Sequence, residues 1–142
     1  MKKMNNKGFS LVELIIVIAI MAILIAVLAP QYIKYVEKSR QSADLDNYQA
    51  IINAVQTAYA DEDMAASLGS TGTITFAKNT GVATTVTSLD SALQQLGVSL
   101  GNIKTKSSLY GAATLSIGNN NGVVTISLTS GAASLKEKLG LK

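Results

Sequence analysis

Lys7-Gly8-Phe9-Ser10-Leu11-Val12-Glu13-Leu14 opens the stretch that decides the fold, because every residue after Leu14 through Ala29 is apolar. Phe9 to Ala29 is 21 residues with only Ser10 and Glu13 polar. As a helix it reaches roughly 30 Å, the thickness of a hydrocarbon core. Lys2, Lys3 and Lys7 precede it and Lys34, Lys38 and Arg40 follow it. The short basic flank directly before the run places the N-terminus in the cytoplasm by the positive-inside bias. A cleaved secretory signal fits poorly: the run is longer than such signals use, and Val27-Leu28-Ala29 is followed by Pro30. A plain anchor explains the length but leaves Glu13 unexplained. A carboxylate within a spanning helix costs about 2.5–3.5 kcal/mol on insertion scales, so it takes a partner or sits near the interface. Both readings of Glu13 stay open on the residues alone.

Composition removes whole classes of chemistry. The 142 residues include no cysteine and no histidine, which excludes a disulfide framework, Cys- or His-ligated metal and Ser-His-Asp hydrolysis. The formal charge of +3 belongs to the three leading lysines, so the remainder balances and offers no nucleic-acid-binding surface by charge. Walker, dinucleotide-binding and metalloprotease motifs are missing from the sequence, and no cofactor is implied. Asp61-Glu62-Asp63 offers carboxylates for calcium, but three acids at a helix end read first as solvated side chains. Lys104 and Lys106, without interleaved aromatics, read as ordinary surface rather than a nucleic-acid site. The chain is expected not to be an enzyme.

Beyond Pro30 the pattern becomes amphipathic. Leu45, Tyr48, Ile52, Val55 and Tyr59 recur at spacings of three and four among Asp44, Asp46, Asn47, Gln49 and Asn53, one apolar stripe with a wet opposite face. Neither Gly nor Pro interrupts Gln31 to Ala60, so the helix is expected to continue to about Glu62, with a kink or melted segment around Leu24 to Pro30. From Asp63 onward 32 of 80 residues are Ser, Thr or Gly. Short β-prone runs occupy Thr73–Ala77, Val82–Thr87, Ala113–Ile117 and Val123–Leu128, the last two linked by Gly118-Asn119-Asn120-Asn121-Gly122, a hairpin signal. Ser88 to Leu96 reads as a helix with Thr87 and Asp90 spaced as a capping box, and Ala132 to Leu139 as another. The fold class is therefore α+β: a long N-terminal helix packed against a small antiparallel sheet.

The basic leader, Gly8, Phe9 and the glutamate fifth from that phenylalanine, followed by the apolar run, resemble the class III leader and helix start of type IV pilins and pseudopilins. The resemblance covers Met1 to about Arg40. It implies cleavage between Gly8 and Phe9 by a prepilin peptidase, N-methylation of Phe9, an assembly role for Glu13 and a helix kink at Pro30. The expected parts are a leader over 1–8, a long helix over 9–62 with 9–29 as transmembrane and assembly segment, and a β-rich head over 63–142. Implied partners are further copies of the chain, the peptidase, the pilus assembly platform with minor pilins, and membrane lipid before assembly. The implied location is the cell membrane, then an extracellular filament. A departure is the missing cysteine, since many Gram-negative pilins close their C-terminal region with a disulfide. A pseudopilin of a type II secretion system or a minor pilin fits the same residues. So does, from another class, a monomeric bitopic protein displaying a small binding domain.

Overall fold

The computed structural model describes residues 8–141. Its first element, α1, spans Leu11–Ala60 as one helix of 50 residues with Pro30 inside it. Of the kink or melted segment expected around Leu24 to Pro30, the melted form does not occur: both residues lie in uninterrupted helix. Pro30 lacks one amide donor, that for the carbonyl of Ala26, and the intact turns on either side hold the backbone helical. The chain divides into two units, one up to Val36 and one from Glu37 onward.

In the first unit the helix is left uncovered by the described residues. Large apolar side chains from Leu14 to Leu28 are 48–66% exposed, on every face. Among the described residues α1 is the one helix long and apolar enough to cross a membrane.

The second unit holds the core. Tyr48, Ile51, Ile52, Ala54, Val55, Ala58 and Tyr59 of α1 are buried, a wider stripe than the three-and-four spacing indicated because small Ala54 and Ala58 admit close packing. The helix ends two residues before the expected Glu62. Asp61 adopts extended geometry and caps a short second helix, α2 (Glu62–Leu68), accepting from the amides of Asp63 and Met64. Strands β1 (Thr71–Ala77) and β2 (Gly81–Thr84) follow, then α3 (Thr87–Gln95) and a 3-10 turn at Leu100–Asn102. Strands β3 (Ala113–Asn120) and β4 (Val123–Ser130) and helix α4 (Ala133–Leu139) complete the order.

The sheet is antiparallel throughout, in the order β2-β1-β3-β4. Ile74, Phe76, Val82, Ala113, Leu115 and Ile117 turn inward to the α1 stripe, with the rings of Tyr48 and Phe76 centred 4.0 Å apart. Outward positions carry Thr and Ser, so the polar composition of the head is one face of a period-2 pattern. The β3–β4 hairpin is tighter than the five-residue link suggested. Its strands extend to Asn120 and resume at Val123, leaving Asn121 (φ 52) and Gly122 (φ 83) as a two-residue turn. The capping box expected at Thr87 and Asp90 does not form: Val86 takes the N-cap position with no side-chain cap, and Asp90 accepts from Gln94 Nε2 instead. Half-buried Val86 packs on the core, which moves the helix start one residue earlier than the polar spacing implies.

Candidate functional site

Glu13 lies in the first turn of α1 and is exposed. Its Oε2 accepts from the Ser10 amide at 2.9 Å, while Ser10 Oγ accepts from the Val12 amide at 3.3 Å. Ser10 and Glu13 thus make a capping arrangement in which Glu13 takes the Ser10 amide and Ser10 takes that of Val12, two amides a helix N-terminus otherwise leaves open. The Ser-x-x-Glu spacing announced this cap, and the sequence reading passed over it because Glu13 stood out as a charge in an apolar run. Among the described residues the carboxylate is bound only by an exposed local hydrogen bond, which it can exchange for another donor. Phe9, the residue before the cap, is 88% exposed. Gly8 is open as well: a Cβ built on it would meet nothing within 4 Å. The chain's own sterics therefore place no demand for glycine at this position.

The second unit holds a buried carboxylate, Asp44, that the amphipathic pattern assigned to the wet face. Asp44 is 1% exposed, and it accepts from the amides of Lys106 (2.9 Å) and Ser107 (2.8 Å). Two helical turns earlier, Glu37 accepts from the Ser108 amide. Tyr48 donates to the Tyr110 carbonyl at 2.8 Å, and burial, with the Asp44 carboxylate nearby, pushes its hydroxyl pKa above the tyrosine range. These groups pin the segment from Lys104 to Tyr110 to α1. Asp61, a calcium candidate by sequence, spends its Oδ1 on the α2 cap. Among the described residues no group of three or more Asp or Glu is placed to hold a metal.

The family described as "Prokaryotic N-terminal methylation motif" matches residues 3–29. That span takes in Gly8, Phe9, Ser10 and Glu13 and most of the exposed apolar helix. The type IV major pilin protein PilA of Myxococcus xanthus is 39% identical over 59 residues, 42% of this chain and 27% of the relative. Over this N-terminal part the chain is similar to type IV pilins and prepilins. The type IV major fimbrial protein FimA of Dichelobacter nodosus is 39% identical over 59 residues, 38% of its length. The prepilin peptidase-dependent protein A of Clostridium perfringens is 36% identical over 67 residues, 46% of this chain and 48% of the relative. The matches thus span between about a quarter and a half of the length of these curated relatives. No solved structure matches the chain. A long apolar helix with a four-stranded antiparallel sheet is an α+β architecture consistent with a pilin fold.

Proposed function

We propose that this chain is a structural subunit of a type IV pilus, made as a membrane-held prepilin and polymerised through the first part of α1. The observation that carries the reading is a helix whose apolar side chains are half to two-thirds exposed on all sides and which bears one carboxylate, Glu13. Such a surface requires lipid or copies of itself. A prepilin peptidase cuts between Gly8 and Phe9, and an open Gly8 that the chain's own packing does not require suits recognition by an enzyme pressed close to the backbone. Of the leader 1–8, only Gly8 lies within the described residues. Cleavage frees a cationic amine at Phe9, which is then methylated. Burial of that amine among packed helices requires a nearby anion, and Glu13 of a neighbouring copy supplies it, leaving its cap on Ser10. Pro30 lets the helix bend as subunits pack, since the turn there already lacks one hydrogen bond. Before assembly the partner is membrane lipid, with the N-terminus cytoplasmic; the pilus platform and minor pilins act on the extracted subunit.

The test combines electron microscopy of filaments sheared from cells with intact-mass analysis of their subunit. The expected mass begins at methylated Phe9. A subunit that retains residues 1–8 and stays in the membrane as a monomer would instead support a bitopic display protein.

A further inference from the structure

The second unit is electrically bipolar along α1. At one end Arg40, Lys104 and Lys106 surround a cavity of about 270 Å³ together with Ser39 and Asn47, and all three cations are exposed. The acid beside them, Asp44, faces inward with its oxygens taken by the amides of Lys106 and Ser107. Glu37 pairs with Arg40 at only 4.0 Å and also accepts from Ser108. The loop is held rigidly while its lysine ammoniums are left unpaired among the described residues. At the other end of this part of α1, Asp61, Glu62 and Asp63 are exposed, and two of them line a cavity of about 440 Å³ with Ser88 and Ser91.

We propose that the basic pocket of Arg40, Lys104 and Lys106 docks the acidic α1–α2 junction, Asp61 to Asp63, of a second copy of this chain. The proposal rests on the filament reading above and adds the contact by which heads choose their register. The two patches cannot meet within one molecule. Lys106 is tied to Asp44, and Asp44 precedes Ala60 by a helical distance of about 24 Å. They can meet between copies displaced along α1 by that spacing. The contact is heterologous, one patch on a different patch. Each docked copy leaves a free patch at either end, so the arrangement repeats in one direction and suits an open filament rather than a two-fold dimer. At that displacement a copy of opposite polarity would set cation against cation or acid against acid, whereas a parallel copy sets opposite charges together. Exposed charges of this kind select orientation and register more than they add affinity, and the selection weakens with salt.

Carbodiimide, which joins a lysine amine directly to a carboxylate, tests the proposal on sheared filaments of the full chain. Mass spectrometry is expected to find Lys104 or Lys106 joined to the Asp61–Asp63 segment in filaments and not in subunits dispersed in detergent. Filaments that cross-link elsewhere but lack this pair overturn the proposal and leave the filament reading intact. In cells, Lys104→Glu with Lys106→Glu is expected to lower filament yield about tenfold at low salt by setting like charges together. Adding Glu62→Lys and Asp63→Lys is expected to restore it. An unchanged yield in the lysine variant, or failure of the charge swap to recover it, overturns the docking contact. A wild-type chain that forms no filaments overturns the filament reading itself.

Discussion

Glu13 and Asp44 are carboxylates on one helix with opposite legibility. Glu13 shows in the sequence because its neighbours are apolar, so a single charge is an anomaly that demands a partner. Asp44 is flanked by Asp46 and Asn47, and a helical pattern counts it among solvated residues. Its partners, the amides of Lys106 and Ser107, stand more than sixty positions away, and no local spacing reveals them. Glu13→Ala is expected to leave insertion and cleavage intact and to stop filament growth. The proposed scissile bond follows Gly8, and in the proposed filament an unpaired amine entering the core costs about 3–5 kcal/mol per subunit. Normal surface pili in a strain whose only copy carries this change would make Glu13 an interfacial carboxylate. Asp44→Ala acts on stability instead, leaving buried amides without an acceptor. It is expected to lower unfolding free energy by about 3 kcal/mol, read from the urea midpoint, whereas a solvated aspartate would change it little.

At the scale of elements, the sequence revealed periodicities and missed boundaries. The stripe on α1 follows from three-four spacing, the four strands from β-prone runs and turn residues, and helices α3 and α4 from start and stop signals such as Gly97 and Gly140. The α1–α2 break does not, because Asp61-Glu62-Asp63-Met64 contains neither Gly nor Pro and continues a helical composition. Backbone geometry decides it: Asp61 turns extended, and its side chain satisfies two amides of the next helix. Asp61→Ala removes that cap, and a loss of about 1 kcal/mol is expected, with faster amide exchange at Asp63 and Met64. Exchange unchanged at those two amides would mean that the cap does not hold α2. The 3-10 turn at Leu100–Asn102 is too short for periodicity to register. Thr87 marked a helix start correctly to within one residue, but tertiary packing of Val86 chose the cap.

For the molecule as a whole, the decisive asymmetry is where apolar surface is covered. Every fully buried side chain among the described residues lies between Asp44 and Leu135, all within the unit that begins at Glu37. Of the large exposed apolar residues, only Leu96, Leu109 and Val123 belong to that unit. A fragment beginning at Glu37 therefore keeps the whole core and loses nearly all the large exposed apolar surface. It is expected to fold cooperatively as an α+β monomer. Its alkaline limit follows from Tyr48 and Tyr59, whose hydroxyls burial pushes above their ordinary range. A group whose pKa is raised by folding contributes its full stability below the unfolded value, about pH 10, and loses it as pH rises. Stability is thus expected to hold to about pH 10 and decline above it. Tyr48→Phe should flatten that decline while lowering stability at neutral pH, because the Tyr110 carbonyl loses its donor. The fragment's state of association is the sharper test of where assembly resides. If the apolar half of α1 alone drives polymerisation, light scattering should report a monomer at concentrations where the full chain forms filaments or requires detergent. Because the charge patches at Arg40, Lys104, Lys106 and at Asp61 to Asp63 remain in the fragment, only weak, salt-sensitive self-attraction is expected there. Filaments grown from the fragment in physiological salt would transfer the assembly function from the helix to the head.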